Sequence, residues 1–165
     1  MILSMQDAAR MANQLKTVPS VDLYKYQGLW FEIAAYAKWF HGDYCAKQIH
    51  YSKHGNGYNV LENRDKKNFF TGKPITIKRQ LYAMKDYGNA KLKMLYFGLF
   101  MGQYWIIDLA DDYSYAVVGH PNRNRLSILS RTSVMEDSIY NSVLMRVKEK
   151  GYDINKIAKI REYIQ

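Results

Sequence analysis

The chain has a single cysteine, Cys45, among its 165 residues. No disulfide can form within it, and a cysteine-rich zinc site is excluded. The four histidines, His41, His50, His54 and His120, are too dispersed for a recognisable metal site. Long apolar runs are missing as well. The opening stretch MILSMQDAARMANQLKTVPS has no run of the length an export signal needs and no cysteine for lipid attachment. Neither an export signal nor a membrane span is expected in the chain as read, which leaves the cytoplasm open as a location. Acidic side chains are the scarcer charge, 15 against 24 Lys and Arg, for a formal net charge of +9. The longest basic clusters, RDKK at 64–67 and KR at 78–79, are short. A solvated basic face is therefore expected and a nucleic-acid patch is not, although such a face also suits an anionic membrane surface.

Hydrophobic residues make up 48% of the chain and aromatics 15%, with 15 tyrosines among them. A packed core is affordable, and its phenols need hydrogen-bond partners. The length fits one domain of the usual ~100–150 residues. Residues 4–16 carry a weak helical period, with Met5, Ala8, Ala9, Ala12 and Leu15 on one side, Ser4 as cap and Pro19 beyond the end. Residues 1–20 thus form a lead-in, and 21–165 the domain proper. From Val21 onward, short alternating runs are punctuated by glycine, asparagine and aspartate, the pattern of many strands. Strands are predicted at 29–37, 47–52, 58–63, 76–85, 90–97, 103–109, 113–119 and 126–131. Turn chemistry at HGNG (54–57), DYGN (86–89), Asp111 with Asp112, and GHPNRN (119–124) joins neighbours as hairpins. An all-β, eight-stranded antiparallel up-and-down meander that closes into a barrel follows. TSVMEDSIYNSVLMRVKEKG then reads as a helix, with Ser133 and Glu136 spaced as a capping box and Gly151 as its stop. Ile139, Val143, Leu144 and Val147 form the face that packs on the barrel's outer wall. Residues 157–160 suggest a short edge strand.

Three stretches carry a family resemblance: Gly28-x-Trp30 before the first strand, DDYSYAVVG (111–119) leading into the seventh, and LSILSRT (126–132) with Arg131 ending the eighth. They resemble, in order and spacing, the signature regions of the lipocalins, and the likeness runs over residues 21–160. The block from AKLKMLYFGLF through LSILSRT to GYDINKI is similar to bacterial lipocalins related to apolipoprotein D. The resemblance implies a cup-shaped barrel with Gly28, Trp30, Asp112, Tyr113 and Arg131 as structural signature residues. Trp30 would lie across the closed floor, covered by the Arg131 guanidinium in a cation–π contact worth roughly 0.5–2 kcal/mol.

If Trp30 points inward, strand alternation turns Glu32, Ala34 and Tyr36 inward, and Phe31, Ile33 and Ala35 outward. A buried Glu32 needs an inner tyrosine, a cation or a proton. By resemblance, Lys47, Ile49 and Tyr51 form the next inner row with His50 outside, followed by Val60 and Glu62. A Lys47–Glu62 pair is expected if the register permits. Leu92, Met94 and Tyr96 face inward while Lys91 and Lys93 face solvent, and Tyr104, Ile106, Ser127 and Leu129 complete the lining. Such a cavity suits a long acyl chain. The implied function is binding and transport or storage of a small hydrophobic ligand, a fatty acid or lysophospholipid, in membrane maintenance, with no cofactor. The resemblance also implies the periplasm or outer membrane as location, and a monomer or homodimer. Exposed aromatics near 69–74 and 96–105 would frame the entrance. Two other classes compete: an interaction module using the basic outer face, and an isomerase-type enzyme using Cys45, as in a few lipocalins with an interior cysteine.

Overall fold

The computed structural model describes residues 4–36, 47–67, 71 and 73–160. After a short helix α1 (Met5–Ala12) and a single helical turn α2 (Leu23–Tyr26) come eight antiparallel strands. These are β1 (Gly28–Tyr36), β2 (Lys47–His54), β3 (Gly57–Lys67), β4 (Pro74–Ala83), β5 (Lys91–Tyr96), β6 (Leu99–Leu109), β7 (Tyr115–Gly119) and β8 (Leu126–Ser130). Each pairs with the next in sequence, and β1 pairs with both β8 and β2, so the barrel closes. Helix α3 (Asp137–Glu149) follows, then a short β9 (Ile157–Lys159). β2 pairs with β1 only over Gly28–Phe31. Above that point β9 takes the vacated edge, at Ala34–Tyr36.

The predicted meander and outer helix are present, and the differences have local causes. Asp22 accepts from the backbone N–H groups of Tyr24 and Lys25 and so nucleates α2, a turn that the period-2 texture of this region hides. Tyr113 adopts φ 60, which no strand interior permits, so β7 starts at Tyr115 and not at 113. The register of β1 against β8 shifts between Glu32 and Ala34. A bulge inverts the alternation beyond it. Glu32 faces inward as expected, but Ala34 joins the outer core and Ala35 turns to the cavity, the reverse of strict period 2.

Two apolar layers result. Inside, Tyr26, Trp30, Tyr51, Tyr58, Leu92 and Ile106 fill the lower barrel. Outside, Ile33, Ile107, Val117 and Ile128 are covered by Val143 and Val147 of α3. The helix face is centred on Tyr140, Val143, Leu144 and Val147; Ile139 lies roughly a quarter-turn away and is exposed, contrary to expectation. Ser133 and Glu136 do not make a capping box either, because Glu136 is itself the N-cap and makes no side-chain cap bond. Arg146 ties the helix down: its guanidinium meets Asp108 at 2.8 Å and the Tyr115 hydroxyl at 2.7 Å. Gly151 (φ 86) ends it, and Tyr152 N–H returns to the Val147 carbonyl. In α1, Ser4 Oγ accepts from Asp7 N–H as a cap, but Met5 is exposed, and it is Leu15, beyond the helix, that is buried in the outer core.

Candidate functional site: the barrel cavity

Strand direction separates the two ends of the barrel. β1 rises from Trp30, and the β2–β3 and β4–β5 connections lie at the same lower end. The upper end carries the β5–β6 turn at Phe97–Gly98 and the β7–β8 turn at 120–125. The lower end is plugged. Trp30 is fully buried and donates through Nε1 to the Tyr26 carbonyl at 2.8 Å. The Arg131 guanidinium stacks 3.8 Å from the Trp30 ring centroid. Its N–H groups donate to the carbonyls of Lys25, Tyr26, Gln27, Leu29 and Tyr113. Three of these belong to the C-terminal end of α2, whose carbonyls lack helical partners. The one side chain therefore covers the floor and caps the turn that precedes it. A Cβ at Gly28 (φ 100) would lie 3.3 Å from the Arg131 NH1 atom, so this position needs both left-handed backbone and little bulk. Of the other signature residues, the Tyr113 hydroxyl accepts from Asp22 N–H, and Asp112 accepts from Ser114 N–H, bonds that hold its carboxyl below the usual range. All of these groups act on the scaffold.

Above the plug lies a cavity of ≈ 520 Å³. Glu32, Tyr36, Lys47, Ile49, Tyr51, Val60, Glu62, Met94, Tyr104, Ser127 and Leu129 line it, as the sequence reading placed them. Leu92 and Ile106 are instead packed in the interior cluster and do not reach the cavity wall. Tyr36 reaches the cavity only in part, since its ring packs on Tyr152 and its hydroxyl accepts from Asp153 N–H. The side chain of Tyr96, and Cys45 altogether, lie outside what is described.

The lower wall is phenolic. The Tyr104 hydroxyl bonds both Tyr26 (2.7 Å) and Tyr51 (2.8 Å). Three hydroxyls bring three donors to two bonds, leaving one O–H to point elsewhere. Burial pushes all three phenols above the normal tyrosine value, so they stay neutral donors.

Higher up the wall is charged. Glu32 is held by Lys47 (2.9 Å) and the Ser127 hydroxyl (2.6 Å). Glu62 is clamped between Arg64 Nε (2.6 Å) and Arg79 NH1 (2.8 Å). The expected Lys47–Glu62 pair is thus replaced. Register sets Glu62 opposite Ile49 and Ile77, while Lys47 stands opposite Arg64 and turns to Glu32 of β1. Burial alone would raise the Glu62 carboxyl, but Arg79, Arg64 and Lys47 outweigh it and hold the group below its ordinary 4.5. Arg64, Arg79 and Arg125 escaped the sequence reading. Arg64 lies just beyond the strand predicted at 58–63, and the inner face of β4 is legible only through Ile77, Arg79 and Leu81 at period 2. Among the described residues no group of His, Cys, Asp or Glu is placed to hold a metal.

Comparison with known proteins agrees with this architecture. The family model described as Lipocalin-like domain matches residues 21–162. The chain is 31% identical over 155 residues to temperature-induced lipocalin-1 of Arabidopsis thaliana, covering 88% of this chain and 82% of that one. It is 31% identical over 157 residues to the outer membrane lipoprotein Blc of Citrobacter freundii, covering 88% and 81%. Among solved structures, insecticyanin of the tobacco hornworm Manduca sexta superposes with a TM-score of 0.69 at 20% identity, covering 92% of this chain and 85% of that one. Lobster apocrustacyanin A1 superposes with a TM-score of 0.66 at 17% identity, covering 86% and 79%. A floor sealed by tryptophan and arginine beneath an eight-stranded antiparallel barrel, matched along nearly its whole length by that model, makes this chain a member of the lipocalin family.

Proposed function

We propose that the protein binds and carries a single-chain lipid, a fatty acid or lysophospholipid, in the barrel cavity. One observation carries the reading: a chamber of ≈ 520 Å³, closed below by the Trp30–Arg131 plug, has an apolar and phenolic lower wall and a charged upper one. That volume is in the range of small-molecule sites, roughly 300–1,000 Å³. The polarity gradient matches a molecule with one apolar and one polar end. Binding is partitioning: each methylene removed from water contributes about 0.8 kcal/mol, and the polar head stays near the upper wall. The activity is transport or storage and not bond-making.

The relatives named outer membrane lipoproteins support an envelope setting. Phe97, Leu99 and Phe100 stand exposed on the β5–β6 hairpin at the open end, and with the +9 net charge they suit brief contact with an anionic membrane during exchange. Native mass spectrometry of delipidated protein offered equimolar oleate, a lysophospholipid and haem tests the reading. Selective retention of one acyl ligand is expected, with loss in Tyr104→Asp. Retention of none would overturn it and turn attention to the basic outer face.

A further inference from the structure

The charged groups in the cavity wall are unequally supplied with partners. Lys47, Arg64, Arg79 and Arg125 all line the cavity, against Glu32 and Glu62. Both oxygens of Glu62 are taken, one by each guanidinium, and both oxygens of Glu32 are taken by Ser127 and Lys47. Each carboxylate oxygen thus already accepts one charge-assisted bond, whereas most of the guanidinium N–H donors are unused. Arg64 engages Glu62 through Nε and Arg79 through NH1, and a guanidinium has five N–H donors. A single carboxylate between two guanidiniums also leaves positive charge in excess.

Arg125 stands apart from these pairs. It precedes β8 at the open end and makes no hydrogen bond or ion pair with any other described residue. Its guanidinium reaches past β7 to Gly102 of β6, where a Cβ would lie 3.9 Å from NH1 and equally close to the Met94 methyl. Met94 lines the cavity too, so this cation, unpaired among the described residues, stands beside a methionine of the cavity wall.

We infer that the cavity selects amphiphiles whose head is an anionic oxygen acceptor, a carboxylate or a phosphate monoester, and that Arg125 is the residue that reads it. The inference rests on the lipid-binding reading above and narrows it to a charge class. A head with donors only, or a neutral hydroxyl head, has to share Glu32 and Glu62 with the cations that already bind them. An anion meets the spare N–H groups of Arg125, Arg64 and Arg79, and charge-assisted bonds of this kind are about twice as strong as neutral ones.

Three probes with the same acyl chain separate the cases: palmitate, 1-palmitoylglycerol 3-phosphate and neutral 1-palmitoylglycerol. Each is titrated calorimetrically into delipidated wild-type, Arg125→Gln and Arg125→Lys proteins. Wild type is expected to bind one or both anions about tenfold more tightly than the neutral lipid. Arg125→Gln erases most of that ratio without weakening the neutral lipid, and Arg125→Lys keeps part of it. The stronger of the two anions identifies the head as carboxylate or phosphate. Equal binding of neutral and anionic probes by wild type, or a ratio unchanged in Arg125→Gln, overturns the charge inference while leaving lipid binding intact. Failure of all three probes to bind overturns both readings.

Discussion

Arg131 shows how much one side chain holds in place here. Its guanidinium serves five carbonyls and an indole face at once, which an ammonium cannot match in geometry. Arg131→Ala is therefore expected to cost about 2–4 kcal/mol in urea unfolding, from lost charge-assisted bonds and the cation–π contact. Arg131→Lys should recover only a minor part. Glu62 gives a pH signature. Its folded-state pKa lies below its ordinary 4.5, so as pH falls the unfolded chain takes up the proton first. The stability from its two arginine contacts is complete above about 4.5 and fades as pH drops through the lower, folded value. In urea midpoints measured from pH 7 to pH 3, Glu62→Gln should be less stable at pH 7 and should show a shallower acid decline. A parallel decline in both proteins would mean the clamp contributes nothing.

At the scale of elements, α3 behaves as a lid on the outer face and not as part of the cavity. Val143 and Val147 are wholly buried beneath it, and Arg146 pins it to Asp108 and Tyr115. Val143→Ala should destabilise by about 2 kcal/mol while leaving ligand affinity within twofold, as measured by unfolding and titration of the same samples. The elements also show which parts of the structure could be read in advance. Strands with clean period-2 alternation and turn residues at their ends, such as β2 and β3 around HGNG, were legible. What failed depended on information that no local period carries. The bulge at Glu32–Ala34 flips Ala34 and Ala35, and α2 depends on one Asp22 side chain. In the cavity, Glu32 follows from alternation once Trp30 fixes the inner face of β1, the inner rows of β2 and β3 follow from the family resemblance, and Leu92 and Ile106 face inward but stop short of the wall. The partners of Glu32 and Glu62 were not legible, because they depend on cross-strand register: Lys47 lies beside both carboxylates in sequence logic, and only the pairing of β1 with β2 decides for Glu32.

On the scale of the whole molecule, the barrel is a gradient. A sealed floor of stacked tryptophan and arginine leads to neutral phenols, then to clamped carboxylates, and finally to an upper rim with exposed aromatics and a guanidinium that is unpaired among the described residues. Loading the cavity should stabilise the fold by mass action, since a ligand that binds only the folded chain at 100 times its Kd adds about 2.7 kcal/mol. Filling the chamber should abolish that gain. Val60 lies on the cavity wall, and Val60→Trp would place an indole in the space an acyl chain needs. The decisive measurement is isothermal titration of oleate into delipidated wild type and into Val60→Trp protein whose circular dichroism matches wild type. One bound oleate per wild-type chain, with binding lost in the filled variant, is the predicted result. Equal binding by both proteins would place the ligand outside the barrel and contradict the cavity as the site.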